Sequence, residues 1–124
     1  MPNYANMPNF YGLRRNSDQP KAEGFYGMQP VPRTNNMASE YSVGVNMNGK
    51  QREIPTFVPG LSGSQMKGLL DAVAQNVMPS KDVMDLAIAH ARSRDALGQP
   101  TFWRMPEKQY TMPDMPKGLL GDGY

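Results

Sequence analysis

The stretch SEYSVGVNMNGKQREIPTFVPGL, Ser39 to Leu61, decides how this chain folds. Tyr41, Val43, Val45 and Met47 alternate with Ser42, Gly44 and Asn46, the period of a strand with one buried face. Asn48-Gly49 follows, the pair favoured where both central residues of a two-residue turn need a positive φ. Such a turn sets Met47 opposite Lys50, Val45 opposite Arg52 and Val43 opposite Ile54, so the apolar face thickens toward the open end. Pro55 and Pro59 then end the ladder, since neither has an N–H to donate and each favours extended backbone before it. A lone ribbon of this length is marginal in water, so its apolar face needs a cover, from this chain or from another.

Two helices downstream are the nearest cover. Ser62 followed by Gln65 is a capping-box pattern, in which each side chain satisfies the other residue's backbone donor. It predicts a helix over Gly63 to Val77, with Met66, Leu69, Leu70, Val73 and Val77 on one stripe. Pro79 forbids continuation, and Ser80 is placed to cap a second helix whose first turn carries Asp82, a charge suited to the positive end of the helix dipole. That helix is predicted over Lys81 to Leu97, with Val83, Met84, Ala87, Ile88 and Ala91 as its apolar stripe and Gly98 and Pro100 as its stop. His90, Arg92 and Arg94 make its tail cationic, which suits the negative end of a helix. The short link Met78-Pro79 makes the helices antiparallel neighbours. The fold class expected is small α+β: a β-hairpin packed on an antiparallel pair of helices, with long extended arms on either side.

The flanks lack any apolar period. Residues 1–38 are rich in proline and hold clustered aromatics, with Phe-Tyr-Gly at Phe10-Tyr11-Gly12 and again at Phe25-Tyr26-Gly27. Solvated linkers are depleted in aromatics, so this reads as an N-terminal arm whose rings seek pockets. Residues 105–124 read as a C-terminal arm, leaving 39–104 as the core. Met-Pro occurs six times along the chain, an extended backbone with flexible apolar side chains suited to grooves. The partner-binding residues expected from this pattern are Phe10, Tyr11, Phe25, Tyr26, Phe102, Trp103 and Tyr110.

Composition narrows the function. A chain of 124 residues with 39% hydrophobic residues and 24 glycines and prolines (12 and 12) has room for one small core, and cores of that size without staples tend to lean on partners. Thirteen Lys and Arg against eleven Asp and Glu give a net charge of +2 with no basic block, so the long-range field is weak and strong nucleic-acid binding is not implied. The absence of cysteine excludes disulfides and thiolate metal sites. No run reaches the length of a membrane span, and the start lacks the basic and apolar regions of a signal peptide, so the expected route does not include secretion.

Catalytic chemistry finds no foothold. There is no phosphate loop, dinucleotide fingerprint or nucleophile elbow, and no catalytic residue, metal ligand or cofactor is assigned. His90 is the single histidine and is expected as a helix-tail surface group. Asp82 and Asp85, with Asp71 before them, read as a solvated face rather than an acid–base pair. Lys50 with Arg52, and Arg92 with Arg94, are a weak signal for phosphate contact.

The middle of the chain resembles a small module of virion proteins of tailed bacteriophages and their prophages. The residues that carry the resemblance are Glu40-Tyr41-Ser42-Val43-Gly44-Val45, Asn48-Gly49-Lys50 and Ile54-Pro55-Thr56-Phe57-Val58-Pro59-Gly60-Leu61, then Ala87-Ile88-Ala89-His90-Ala91-Arg92-Ser93-Arg94 and Gly98-Gln99-Pro100-Thr101-Phe102-Trp103. It covers residues 39–104; the connection Leu70 to Pro79 is longer than in the module, and the Met-Pro arms lie outside it. The resemblance implies a non-enzymatic particle component, present in multiple copies, whose arms bind other virion proteins at the portal and tail or in the capsid. An internal DNA-associated or ejected virion protein is the alternative, and an accessory module of a cell-wall-degrading enzyme a third reading.

Overall fold

The computed structural model describes residues 21–116. Its elements are β1 (Gln29–Pro30), β2 (Met37–Ala38), β3 (Val43–Met47), β4 (Lys50–Ile54), α1 (Gly63–Gln75) and α2 (Lys81–Ala96). They form a small α+β arrangement with two antiparallel strand pairs, β1 with β2 and β3 with β4.

The hairpin takes the register its turn dictates, with Val43 opposite Ile54, Val45 opposite Arg52 and Met47 opposite Lys50. Asn48 and Gly49 have φ of 55° and 79°, the left-handed pair that matches the twist of the flanking strands. Val43, Val45, Met47 and Ile54 are buried, and they cluster with Ala87 and Ala91 of α2. Alanines on α2 let the helix backbone close on the ribbon, with Met84 and Ile88 filling the sides. Beyond the ladder, Thr56 takes over the bonding that Pro55 cannot supply. Its N–H donates to the Glu40 carbonyl at 3.0 Å and its hydroxyl to the Tyr41 carbonyl at 2.7 Å.

Both halves of the capping box form at Ser62, whose hydroxyl accepts from the Gln65 N–H at 3.1 Å while its own N–H donates to the Gln65 side chain at 2.8 Å. The helix that follows is shorter than its apolar stripe predicts. Asn76 adopts a left-handed φ of 56°, a conformation Asn tolerates at helix ends, and α1 stops at Gln75. The Val77 N–H turns back to the Ala72 carbonyl at 3.0 Å. Residues 76–80 therefore form the link, and Val77, expected on the buried stripe, is outside the helix and 49% exposed. Ser80 occupies the cap position of α2 without donating or accepting a side-chain cap bond; its hydroxyl is bonded to the Asp82 carboxylate instead.

A second cluster joins α1 to segments expected as arms. Met66, Leu69 and Leu70 of α1 and Val83 of α2 pack with Phe57, Leu61, Phe25, Tyr26 and Trp103. The boundary expected near residue 38 thus gives way, because residues 22–38 carry part of the core. Phe25 is 3% exposed, the Tyr26 hydroxyl donates to the Val58 carbonyl at 2.9 Å, and Arg33 in the β1–β2 turn pairs with Asp71 of α1 at 2.8 Å.

The C-terminal side behaves likewise. Residues 104–116 run back over the molecule as a strap without regular structure. The Tyr110 N–H donates to the Phe25 carbonyl at 2.7 Å, and the Gln109 side-chain amide to the Gly24 carbonyl at 3.1 Å. Met112 and Met115 pack on the α1 cluster. Residues 1–20 and 117–124, the outer parts of the two expected arms, lie outside the described residues. Among the described residues no helix is long and apolar enough to cross a membrane.

Candidate interaction surface

Tyr41 marks the part of the surface that packing leaves uncovered. It follows buried Glu40 in a bend with φ of 37°, a value that L residues adopt only when their surroundings hold them there. Thr56 supplies the hold through the Tyr41 carbonyl, and the Tyr41 hydroxyl donates to the Val77 carbonyl at 2.9 Å. The ring so fixed separates two clefts. One, of about 330 Å³, lies between β2 and α1 and is lined by Met28, Val31, Met37, Ala38 and Val73. The other, of about 590 Å³, is lined by Val43, Asn76, Val77 and Met78; Lys21 and Tyr41 border both. Met37, Val77 and Met78, at 52%, 49% and 60% exposure, stand around these clefts as an apolar rim on solvent. Apolar side chains gathered in this way mark interaction sites more often than isolated ones do.

The aromatic residues expected to bind partners go elsewhere. Phe10 and Tyr11 lie outside the described residues. Phe25, Tyr26 and Trp103 are buried in the chain's own core, where they join Phe57 against Met66, Leu69 and Leu70 of α1. Phe102 is partly buried, and its carbonyl accepts from Arg94 at 3.2 Å. Tyr110 remains on the surface at 39% exposure, with the Lys108 ammonium 5.0 Å from its ring centre.

Two of the four cations expected near phosphate are engaged by the chain's own carboxylates. Arg52 pairs with Asp95 across the hairpin and α2; the bond raises the Arg52 pKa, and it lowers that of Asp95. Arg94, expected on a solvated helix tail, is 9% exposed. Its guanidinium donates to the carbonyls of Pro100 and Phe102 at 2.5 and 3.2 Å and to both Glu107 oxygens at 2.6 and 3.0 Å. This planar fork is geometry that only arginine provides. Lys50 and Arg92 are exposed.

His90, expected as a surface group, is half-buried. Its ring stands edge-on to Phe25, with centroids 4.9 Å apart, and its Nδ1 is buried without a hydrogen-bond partner. Burial, then the nearby Arg94 charge, pushes its pKa down. Among the described residues no group of three or more His, Asp or Glu is arranged to hold a metal ion.

Sequence reasoning missed Tyr41 and its rim. Asn76 was the available signal, since a left-handed stop there ends α1 early and turns Val77 and Met78 outward. Nothing in the residue types announces the positive φ of Tyr41. Comparison with protein-family models, with curated proteins and with solved structures yields no match.

Proposed function

We propose that this chain is a non-enzymatic assembly subunit: a structural component of a tailed-bacteriophage virion, assembled in the host cytoplasm and bound to neighbouring subunits at the portal and tail or in the capsid. The observation that carries the assembly reading is the apolar rim of Met37, Val77 and Met78 about Tyr41. A chain of this size gains by covering such a surface with another protein, because its own core has been completed by Phe25, Tyr26 and Trp103 and has no further segment among the described residues to lay there. The virion setting rests on the resemblance of residues 39–104 to the particle module. Residues 105–116 lie on the chain's own core, so the binding face we assign is the Tyr41 surface; a clamping role remains with residues 1–20 and 117–124.

The test is incorporation. Val77→Asp with Met78→Asp places two charges on the exposed link without touching the core, so the purified variant should melt as the parent does but fail to enter particles. Normal incorporation of the folded variant refutes this face. Copy number per particle then separates the portal and tail, present as a ring, from the shell, present in hundreds.

A further inference from the structure

We propose that His90 is a pH-sensitive latch: on protonation it releases Phe25 from α2 and, with Phe25, the C-terminal strap. This rests on the clasp around α2 and needs no assumption about the assembly role.

The clasp has three layers. Phe25, from the segment ahead of β1, is gripped by two side chains one helical turn apart on α2, the His90 ring at 4.9 Å and the Arg94 guanidinium at 5.3 Å from its centroid. Arg94 in turn anchors the strap through both oxygens of Glu107. The strap closes the loop on the first layer, with the Tyr110 N–H on the Phe25 carbonyl and the Gln109 amide on that of Gly24. Phe25 is thus the shared member: when its ring leaves α2 and the backbone of residues 24 and 25 moves with it, the hydrogen bonds of residues 109 and 110 lose their acceptors.

His90 is the member whose charge can change near neutrality. The charged groups acting on it are Arg94 on its own helix and Glu107 on the strap; the segment ahead of β1 presents the uncharged Phe25 ring. Glu107 is bonded to Arg94 through both oxygens and so offers the imidazolium little of its charge. Nδ1 has no acceptor to receive a proton's hydrogen bond. An imidazolium would place a second cation one turn from a buried guanidinium, with a buried Nδ1–H that finds no acceptor. Moving Phe25 aside lets water reach Nδ1 of this half-buried ring and screen the two charges. An imidazolium would also attract the Phe25 ring, but that ring already carries the Arg94 cation, and desolvation is the larger effect on His90. The sign follows: a histidine kept neutral by burial holds the clasp shut above its ordinary pKa of 6.5 and gives it up as pH falls toward the lower value of the closed state.

The chain supplies its own probes, with one histidine and one tryptophan. Trp103 is buried, and its Nε1–H donates to the Glu107 carbonyl at 3.1 Å, so its emission moves to the red when the strap lifts. Taking the full chain from about pH 7.5 to about pH 5 should red-shift Trp103 and lower the protection factor of the Tyr110 amide about tenfold, with the midpoint of the His90 proton resonances. His90→Gln should keep its protection across that window. Equal loss of protection by His90→Gln at every pH overturns the latch and leaves His90 a packing residue, and so does a pH transition unchanged by the substitution. Should His90→Gln fail to fold, the parent chain alone decides: His90 titration with no shift of Trp103 overturns the proposal, and coincident midpoints uphold it. Glu107 cannot imitate the effect, because its carboxyl is held below its ordinary 4.5 and protonates outside the window.

Discussion

The carbonyl oxygen of Asp114 rests against the first turn of α1 so closely that a Cβ built on Gly63 would stand 1.7 Å from it. A residue late in the strap is therefore seated on the start of a helix by the lack of a side chain there. Gly63→Ala forces the strap off, since the obstacle is backbone and cannot rotate away. The loss expected is about 2 kcal/mol, reduced by the modest gain that Ala brings to a helix. Urea denaturation followed by Trp103 emission measures it. In a chain shortened to end at Thr111 the same substitution should be neutral or slightly stabilising, and a full-size loss there would mean that Gly63 matters for another reason.

Arg94 ties α2 to residues 100–107 and to Phe25. Arg94→Ala takes the donor from Glu107 and from the Pro100 and Phe102 carbonyls, at a site where the side chains of the ion pair are 11% and 30% exposed. Water at Glu107 offsets part of the loss, so the cost should fall between that of an exposed and a buried pair, about 2 kcal/mol. Arg94→Lys should recover only a small part, because an ammonium cannot reach two carboxylate oxygens and two carbonyls at once. Arg52→Ala serves as the contrast. Its pair with Asp95 is about one-third exposed on each side, so its loss should be much the smaller of the two. Equal costs for Arg94→Ala and Arg52→Ala would contradict this account of where the cations are committed.

What the sequence discloses follows the range of the physics involved. The hairpin was legible from Val43 to Ile54, since the alternation of Val43, Val45 and Met47 and the Asn48-Gly49 turn are local and mutually consistent, while Tyr41, expected as the first strand residue, lies outside β3 at a positive φ. The helix starts were legible for the same reason. The burial of Phe25 and Tyr26 was not, because aromatics in a proline-rich segment look alike whether their pocket belongs to the same chain or to another. Arg94 was misread because position on a helix tail predicts a solvated cation, while the acceptors that draw it inward come from residues 100–107, where no periodicity guides the eye. Tyr41 could not have been found, since its bend is imposed by Thr56 on the far side of the hairpin.

The two helix caps give a paired prediction. Ser62→Ala removes one half of a complete capping box and should cost about 1 kcal/mol. Ser80→Ala removes a hydroxyl that bonds Asp82 rather than the backbone of α2, and should cost about 0.5 kcal/mol or less. The difference in urea midpoint between the two variants reads this directly. Matching losses would show that Ser80 caps α2 after all.

Glu107 sets the acid limit of the clasp. The hydrogen bond from Arg94 is the main cause that holds its carboxyl below the ordinary value of 4.5, with burial opposing. A carboxylate whose pKa is lowered by folding contributes its stability in full above 4.5 and loses it as pH falls through the folded value, because the unfolded chain takes up the proton first. The parent should therefore lose stability in two stages on acidification, an upper one belonging to His90 and a lower one to Glu107. Glu107→Gln should be less stable at neutral pH, where Arg94 lacks its anion, and its stability should fall less steeply below 4.5. Urea midpoints measured at intervals from neutrality down to the acid transition test both halves. A variant whose acid limb keeps the parent's slope would place the lower stage on another carboxylate, with Asp95 beside Arg52 the next to examine.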